Sequence, residues 1–386
     1  MRLLHIIPTL NPVYGGPIEG LKKLIEQCKT LGIQSEIAVL DDPDNSPWLN
    51  GICVKVHVLG PPSLTYYYSS KLLPWLKANV MCFDAVIVNG LWQYHGYAVR
   101  KALRGTSVPY FVFTHGMLGP YFKYTYPLKH VKKWLYWPWG DYLILRDAKA
   151  VLFTCEEERI LARKSFWLYK CNEVVVGFGT SSPIGDAARQ RELFLSEFPE
   201  LSGKRIFLFL GRIFKIKGCD LLIEAFANVA KQNEALHLVM AGPDQTGWQK
   251  ELEALSSSLG IEDRITWTGM ISGDVKWGAY HAAEVFVLPS HHENFGIVVA
   301  ESLACGVPVL ISNKVNIWRE VEAGGAGIVA EDTLEGTKEL FERWLGMDAT
   351  SQSAMRQKAV ACFESRFEIG KSAQNLIDLI GVYKHG

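Results

Sequence analysis

The chain has 386 residues, which suggests two domains of ordinary size rather than one, and its 48% hydrophobic content supplies two cores. Basic and acidic residues balance at 40 each, so no charge excess points to nucleic acid. The eight cysteines, at 28, 53, 82, 155, 171, 219, 305 and 362, form no C-x-x-C pair. That spacing argues against a zinc ribbon and a disulfide scaffold, and it fits a reducing cytoplasm.

The opening "MRLLHIIPTL" is too short in apolar residues for a signal-peptide core with a cleavage site and reads as a first buried strand. No run approaches the roughly 18 apolar residues of a membrane span. A soluble, cytoplasmic protein is expected, docking at most on a surface. "GGPIEGLKKLIEQCKTLG" reads as a glycine turn and a helix closed by Gly32. "SEIAVL", "VKVHVLG", "DAVIVNG" and "PYFVFTH" read as further strands, apolar almost throughout as sheets covered on both faces require. The second half repeats the rhythm: strand "RIFLFLG", helix "CDLLIEAFANVAKQ", strand "LHLVMAG", helix "WQKELEALSSSLG". Then come "ITWTG", "VFVLPS", a helix carrying Glu301, and "PVLIS". Alternating strands and helices mean βαβ units and parallel sheets. The polar stretch "GTSSPIGDAARQ", residues 179–190, marks the seam, giving an α/β chain of two Rossmann-like domains, 1–180 and 181–370. Such sheets bind ligands beyond the carboxyl ends of their strands, and the site is expected in the cleft between the domains.

Three loops occupy strand ends. "NPVYGGPIEG" follows the first strand; Gly15 and Gly16 permit close backbone approach of an anion to a helix N-terminus, or simply make a tight turn. "LGRIFKIKGCD" sets Arg212 and Lys217 just before a helix, where the macrodipole disfavours cations unless an anion such as a diphosphate is bound. "LPSHHENFGIVVAESLACG" reads as strand, loop and helix, opened by Gly296 and closed by Gly306, with Asn294, Phe295 and Gly296 amides able to face ligand oxygens. Glu293 and Glu301 lie at most roughly 12 Å apart along it. That distance matches the span from sugar to ribose in a nucleotide sugar. One carboxylate would take the sugar hydroxyls and the other those of the ribose.

With these loops the chain resembles a retaining glycosyltransferase of the GT4 family, which has the two-domain GT-B fold. The family's E-x7-E pattern is met by Glu293 and Glu301, and its G-R-x4-K-G phosphate motif by Gly211, Arg212, Lys217 and Gly218. Its double glycine is met by Gly15 and Gly16. The likeness covers the second half closely and the first half more loosely. It implies catalytic roles for His115 (in "FVFTHGMLGPY"), Arg212, Lys217 and Glu293. It implies donor binding by Gly15, Gly16, Gly242, Met270, Ile271, Asn294, Phe295, Gly296, Ile297 and Glu301. It also implies that a last helix, about 371–386, returns to pack on the first domain.

The implied reaction passes through an oxocarbenium-like state, with Arg212, Lys217 and helix N-termini stabilising the leaving nucleoside diphosphate. Front-side attack with the leaving phosphate as base accounts for retention. No metal or other cofactor is required. The one D-x-D, Asp42-Pro43-Asp44, lies in a turn-rich loop. A UDP-sugar, with glucose as the hexose, is the expected donor, and a glycan or lipid-linked acceptor in polysaccharide biosynthesis the expected partner. Residues 121–145, "YFKYTYPLKHVKKWLYWPWGDYLIL", combine aromatics with four lysines, the pattern of a peripheral membrane contact on the inner face or of an acceptor-cleft wall. A GT-B-like epimerase or phosphorylase and a non-catalytic nucleotide-sugar-binding protein remain as alternatives. A dehydrogenase is disfavoured because no G-x-G-x-x-G follows a strand.

Overall fold

The computed structural model describes residues 1–384; the last two positions of the expected terminal helix, 385 and 386, lie outside the described residues. The chain forms two compact units: Met1–Gly179 joined by the segment from Ile369 onward, and Thr180–Glu368.

The first unit is built on a seven-stranded sheet: β1 (Arg2–Ile6), β2 (Gln34–Val39), β3 (Val56–Val58), β4 (Ala85–Asn89), β5 (Tyr110–Phe113), β6 (Ala150–Phe153) and β7 (Glu173–Val175). Every pairing is parallel and the order is β3-β2-β1-β4-β5-β6-β7. The chain winds outward from β1 to β3, then returns to the centre at β4. The carboxyl ends of β1 and β4 therefore flank the switch point where doubly wound sheets bind ligands. Strand periodicity divides the core between the two faces. Val86 and Val88 of β4 join one cluster with Leu4, Ile6, Val112 and Val151, while Ala85 and Ile87 join another with Leu3, Phe111 and Leu152. On the latter face Ala373, Leu376 and Ile380, at helical spacing, seat the C-terminal helix Ile369–Lys384 beside Leu24 and Cys28 of the helix Gly16–Thr30.

The second unit repeats the plan with β8 (Arg205–Leu210), β9 (Leu236–Ala241), β10 (Ile265–Gly269), β11 (Ala283–Leu288), β12 (Val309–Ser312) and β13 (Gly327–Ala330). Their order is β10-β9-β8-β11-β12-β13, again all parallel. Phe207, Phe226 and Phe341 pack ring against ring at 5.4–6.4 Å on one face. Arg205 grips Glu284 with two 2.7 Å bonds at the amino ends of β8 and β11, far along the strands from the ligand side.

Three strands, β6, β7 and β13, were not distinguished in the sequence. They are three or four residues long, too short for periodicity to register, and β7 is a half-buried edge. The expected strand at 54–60 contracts to Val56–Val58. Among the described residues no helix is long and apolar enough to cross a membrane.

Candidate active site

In the second unit the loops after β8 and β11 emerge side by side at the switch point. They are tied by the His291 N–H, which donates to the Ile216 carbonyl at 2.8 Å. Gly218 makes the approach possible. Its φ is +66°, and a Cβ there would lie 2.4 Å from the Pro289 carbonyl oxygen. This close contact brings Lys217, from one loop, onto the carboxylate of Glu293, from the other; the two form an ion pair with side chains 14% and 20% exposed. The Glu293 backbone is strapped to the segment after β12: its N–H donates to Lys314 and its carbonyl accepts from Asn316, both at 3.0 Å. Burial alone would raise the Glu293 pKa. The charge and hydrogen bond of Lys217 outweigh it, with His292 and Arg212 adding to them, and hold the carboxyl below its ordinary value. Glu293 is thus a carboxylate at neutral pH. His292 beside it is pushed down, chiefly by burial.

Asn294 accepts from Asn316 at 3.3 Å, and Phe295 is buried edge-on to Phe367. Gly296, also buried, precedes the helix Ile297–Ala304, which no side chain caps. Its first-turn amides lie next to Glu293 and form a natural anion cradle. Arg212 is exposed at the start of the β8 loop. The loops after β8, β9 and β10 converge at three glycines: Gly211 N–H donates to Ala241, and Gly242 N–H to Gly269, at 2.9 and 2.7 Å. A Cβ on Gly242 would sit 1.9 Å from the Gly211 carbonyl oxygen. Met270, 77% exposed, and half-buried Ile271 follow at the end of β10.

Glu301, expected from sequence to take the ribose hydroxyls, is more constrained than its position in the motif conveys. In the structure it is 5% exposed and both oxygens are engaged, with Lys276 at 2.8 Å and the Tyr280 hydroxyl at 3.2 Å. Lys276 in turn lies over the Trp277 ring at 4.3 Å. A carboxylate oxygen offers two lone-pair sites, so Glu301 can still accept from a ligand, but from a fixed position. The Lys217 charge, likewise expected to await an anion, is already met in part by Glu293.

In the first unit His115 follows β5 in the left-handed region, at φ +47°. Its Nε2 meets the Asn89 Oδ1 at 3.1 Å, while the Asn89 amide nitrogen points at the carbonyls of Ile6 and Ile87. Nε2 therefore carries the hydrogen and Nδ1 keeps a lone pair. Burial lowers the His115 pKa to about 4, so the ring is neutral at physiological pH. Buried Glu158 clamps the loop with four bonds: Thr114 hydroxyl at 2.7 Å, Gly116 N–H at 2.5 Å, and the Thr154 N–H and hydroxyl at 2.8 and 2.6 Å. Gly15 caps the helix Gly16–Thr30, and a Cβ on Gly15 or Gly16 would meet no protein atom within 4 Å. Asp42 Oδ1 caps the Asp44 N–H at 3.1 Å, a local turn contact. Among the described residues no three His, Cys, Asp or Glu side chains group as metal ligands. The buried member of that loop is Asp41, which holds Leu10 N–H at 2.9 Å and Trp48 Nε1 at 3.1 Å.

Sequence reasoning missed Lys276, Tyr280, Asn89 and Glu158. Lys276 and Tyr280 are four apart on one helix, a signal that was available. Nothing local singles out Glu158 among Glu156, Glu157 and Glu158.

Residues 190–361 match the family model described as Glycosyl transferases group 1, and residues 15–177 match a Glycosyl transferase 4-like domain. A D-inositol 3-phosphate glycosyltransferase of Geodermatophilus obscurus is 35% identical over 133 residues, 33% of this chain and 30% of that protein. The mannosylfructose-phosphate synthase of Agrobacterium fabrum is 34% identical over 157 residues, 39% and 33% of the respective chains. The chain thus spans about a third of the length of these curated relatives. Sucrose-phosphate synthase from Thermosynechococcus elongatus superposes with a TM-score of 0.74 at 20% identity over 98% of both chains. Anabaena HepE in complex with UDP gives 0.80 at 16% identity over 99% of this chain and 100% of that one, and HepE is also known in complex with UDP-glucose. These likenesses establish the fold, two Rossmann-like parallel-sheet domains of the GT-B kind.

Proposed function

Since the chain belongs to the glycosyl transferase group 1 family, we propose that it is a retaining glycosyltransferase that moves a hexose from a UDP-sugar to a glycan or lipid-linked acceptor. The observation that carries this reading is the Lys217–Glu293 pair. It joins a cation suited to phosphate and an ionised carboxylate suited to sugar hydroxyls, at the switch point and beside an uncapped helix. A diphosphate entering there takes over part of the Lys217 charge and releases Glu293 oxygens to the sugar. As the glycosidic bond breaks, negative charge grows on the diphosphate. Lys217, Arg212 and the first-turn amides then stabilise it in place of a metal ion. Neutral His115, with its Nδ1 lone pair, contributes an acceptor on the first unit.

Glucose as the transferred hexose is supported by the HepE complex with UDP-glucose. A place in cytoplasmic polysaccharide assembly follows the same reading. Thermal-shift titration with UDP, UDP-glucose, ADP-glucose and GDP-mannose tests the donor. UDP and UDP-glucose are expected to raise the Tm, and to do so equally in EDTA. NMR of the product with a glycan acceptor should show the α-anomer preserved. Abolition by EDTA with rescue by manganese overturns the metal-free reading. Free sugar released without an acceptor identifies an epimerase or hydrolase, phosphate-dependent turnover identifies a phosphorylase, and binding without turnover identifies a sensor.

A further inference from the structure

We propose that the helix Pro127–Tyr136 is an interfacial helix that seats this protein on an anionic lipid bilayer. The inference concerns the first unit alone and does not depend on the reaction assigned above.

None of the ten residues of this helix is buried, yet the helix is strongly amphipathic. One side packs inward: His130 stacks on Phe166 at 5.0 Å and Lys133 lies over the Trp92 ring at 4.4 Å. Leu128, Val131 and Leu135 recur at helical spacing on the opposite side, 82%, 53% and 63% exposed. Tyr124 before the helix and Trp139 after it are 76% and 80% exposed, so aromatic side chains flank it at both ends. A helix that already has a packing face has no structural need for a second apolar face turned to water. Aromatic ends on an apolar stripe are the arrangement that suits the boundary between head groups and acyl chains.

Charge decides between occupants. From Tyr121 to Gly140 the chain carries Lys123, Lys129, Lys132 and Lys133 and no acidic residue. A groove of about 430 Å³ opens between the helix and residues 164–167, and it places Lys123 and Lys164 beside Trp134 and Trp167. A second copy of the chain, meeting this surface about a two-fold axis, would set the same lysines against each other. Head-group phosphates instead meet the lysines while the acyl boundary takes Leu128, Val131 and Leu135, each basic residue strengthening attachment several-fold.

Sedimentation with vesicles tests this. The protein is expected to pellet with phosphatidylcholine vesicles containing phosphatidylglycerol, to stay in solution with pure phosphatidylcholine, and to be released by high salt. Leu128→Glu with Leu135→Glu, and separately Lys129→Glu with Lys132→Glu, should each lower partitioning by roughly tenfold or more. All four side chains are exposed, so circular dichroism and Tm should stay at wild-type values. Failure of the wild type to bind anionic vesicles, equal binding to neutral ones, or unchanged binding by the leucine variant would overturn the proposal. So would conversion of a dimer to a monomer by the leucine variant on size exclusion, which would make the stripe a self-association surface.

Discussion

Glu293 and Glu301 belong to one loop-and-helix stretch, and each faces a lysine, but the two pairs are built differently. Glu293 lies in a loop and its lysine comes from another loop, the two brought together by the Gly218–Pro289 approach. Glu301 lies inside the helix Ile297–Ala304, and its lysine and tyrosine come from the neighbouring helix Gly273–Ala282. In the loop pair it is the carboxylate that is partly exposed, at 20% against 6% for Glu301, and neither partner is carried by a regular α-helix or strand. The helix pair is held by regular backbone and fixes a position. A group that must respond during a reaction is best carried by the first kind, and a group that must recognise an unchanging part of a ligand by the second.

The largest test of this contrast is at the loop end. Arg212→Ala should lower kcat by roughly 10²–10³, the scale for losing one preorganised charge stabiliser, with little change in Tm because the side chain is exposed. Unchanged turnover of UDP-glucose would detach the loop cations from the chemistry.

Next comes calorimetric titration of UDP into the two glutamate variants. Glu301→Ala should weaken UDP binding by roughly 1–3 kcal/mol, because the ribose is present in donor and product alike. Glu293→Ala should leave UDP affinity near wild type and reduce turnover. Equal losses would erase the distinction between the pairs, and a larger loss at Glu293 would reverse the donor along the helix.

Lys276 sharpens the comparison further. If it fixes the Glu301 carboxylate, Lys276→Met should weaken UDP binding by roughly three- to tenfold and Lys276→Arg should restore most of it. Tighter binding by Lys276→Met would show instead that the lysine competes with the ribose.

The smallest effect is in pH. A carboxyl whose pKa is depressed in the folded state contributes stability that is complete above its unfolded value and lost as pH falls through the folded one. For Glu293 the window therefore lies below its ordinary 4.5. Glu293→Gln should lower Tm modestly at neutral pH, by an amount worth roughly 1 kcal/mol, and the gap should close as acid protonates the wild type. A gap that persists once acid has protonated the wild-type carboxyl would assign the loss to packing rather than charge.

Legibility in the sequence followed the reach of each interaction. "RIFLFL" and "LHLVMA" announce central strands because burial on both faces demands unbroken apolar runs. The loops that carry Arg212, Lys217 and Glu293 could be picked out because each motif keeps its residues within a short stretch of chain. The partners could not. Which of three consecutive glutamates turns inward to clamp the His115 loop depends on where β5 and β6 stop, and that is settled only when the sheet is assembled. The same holds for Asn89, whose amide sets the His115 tautomer from the end of a different strand.

The helix Ile369–Lys384 carries a further consequence. Its apolar residues complete one face of the β1, β4, β5 and β6 sheet, yet they are translated after all of Thr180–Glu368. On the ribosome the second unit has every residue it needs first, while the earlier-made unit still lacks Ala373, Leu376 and Ile380 from the cluster that holds Leu3, Ile87 and Phe111. Order of synthesis and order of completion are reversed in this chain. The interval between them is when its amino-terminal half is most open to aggregation or to a chaperone.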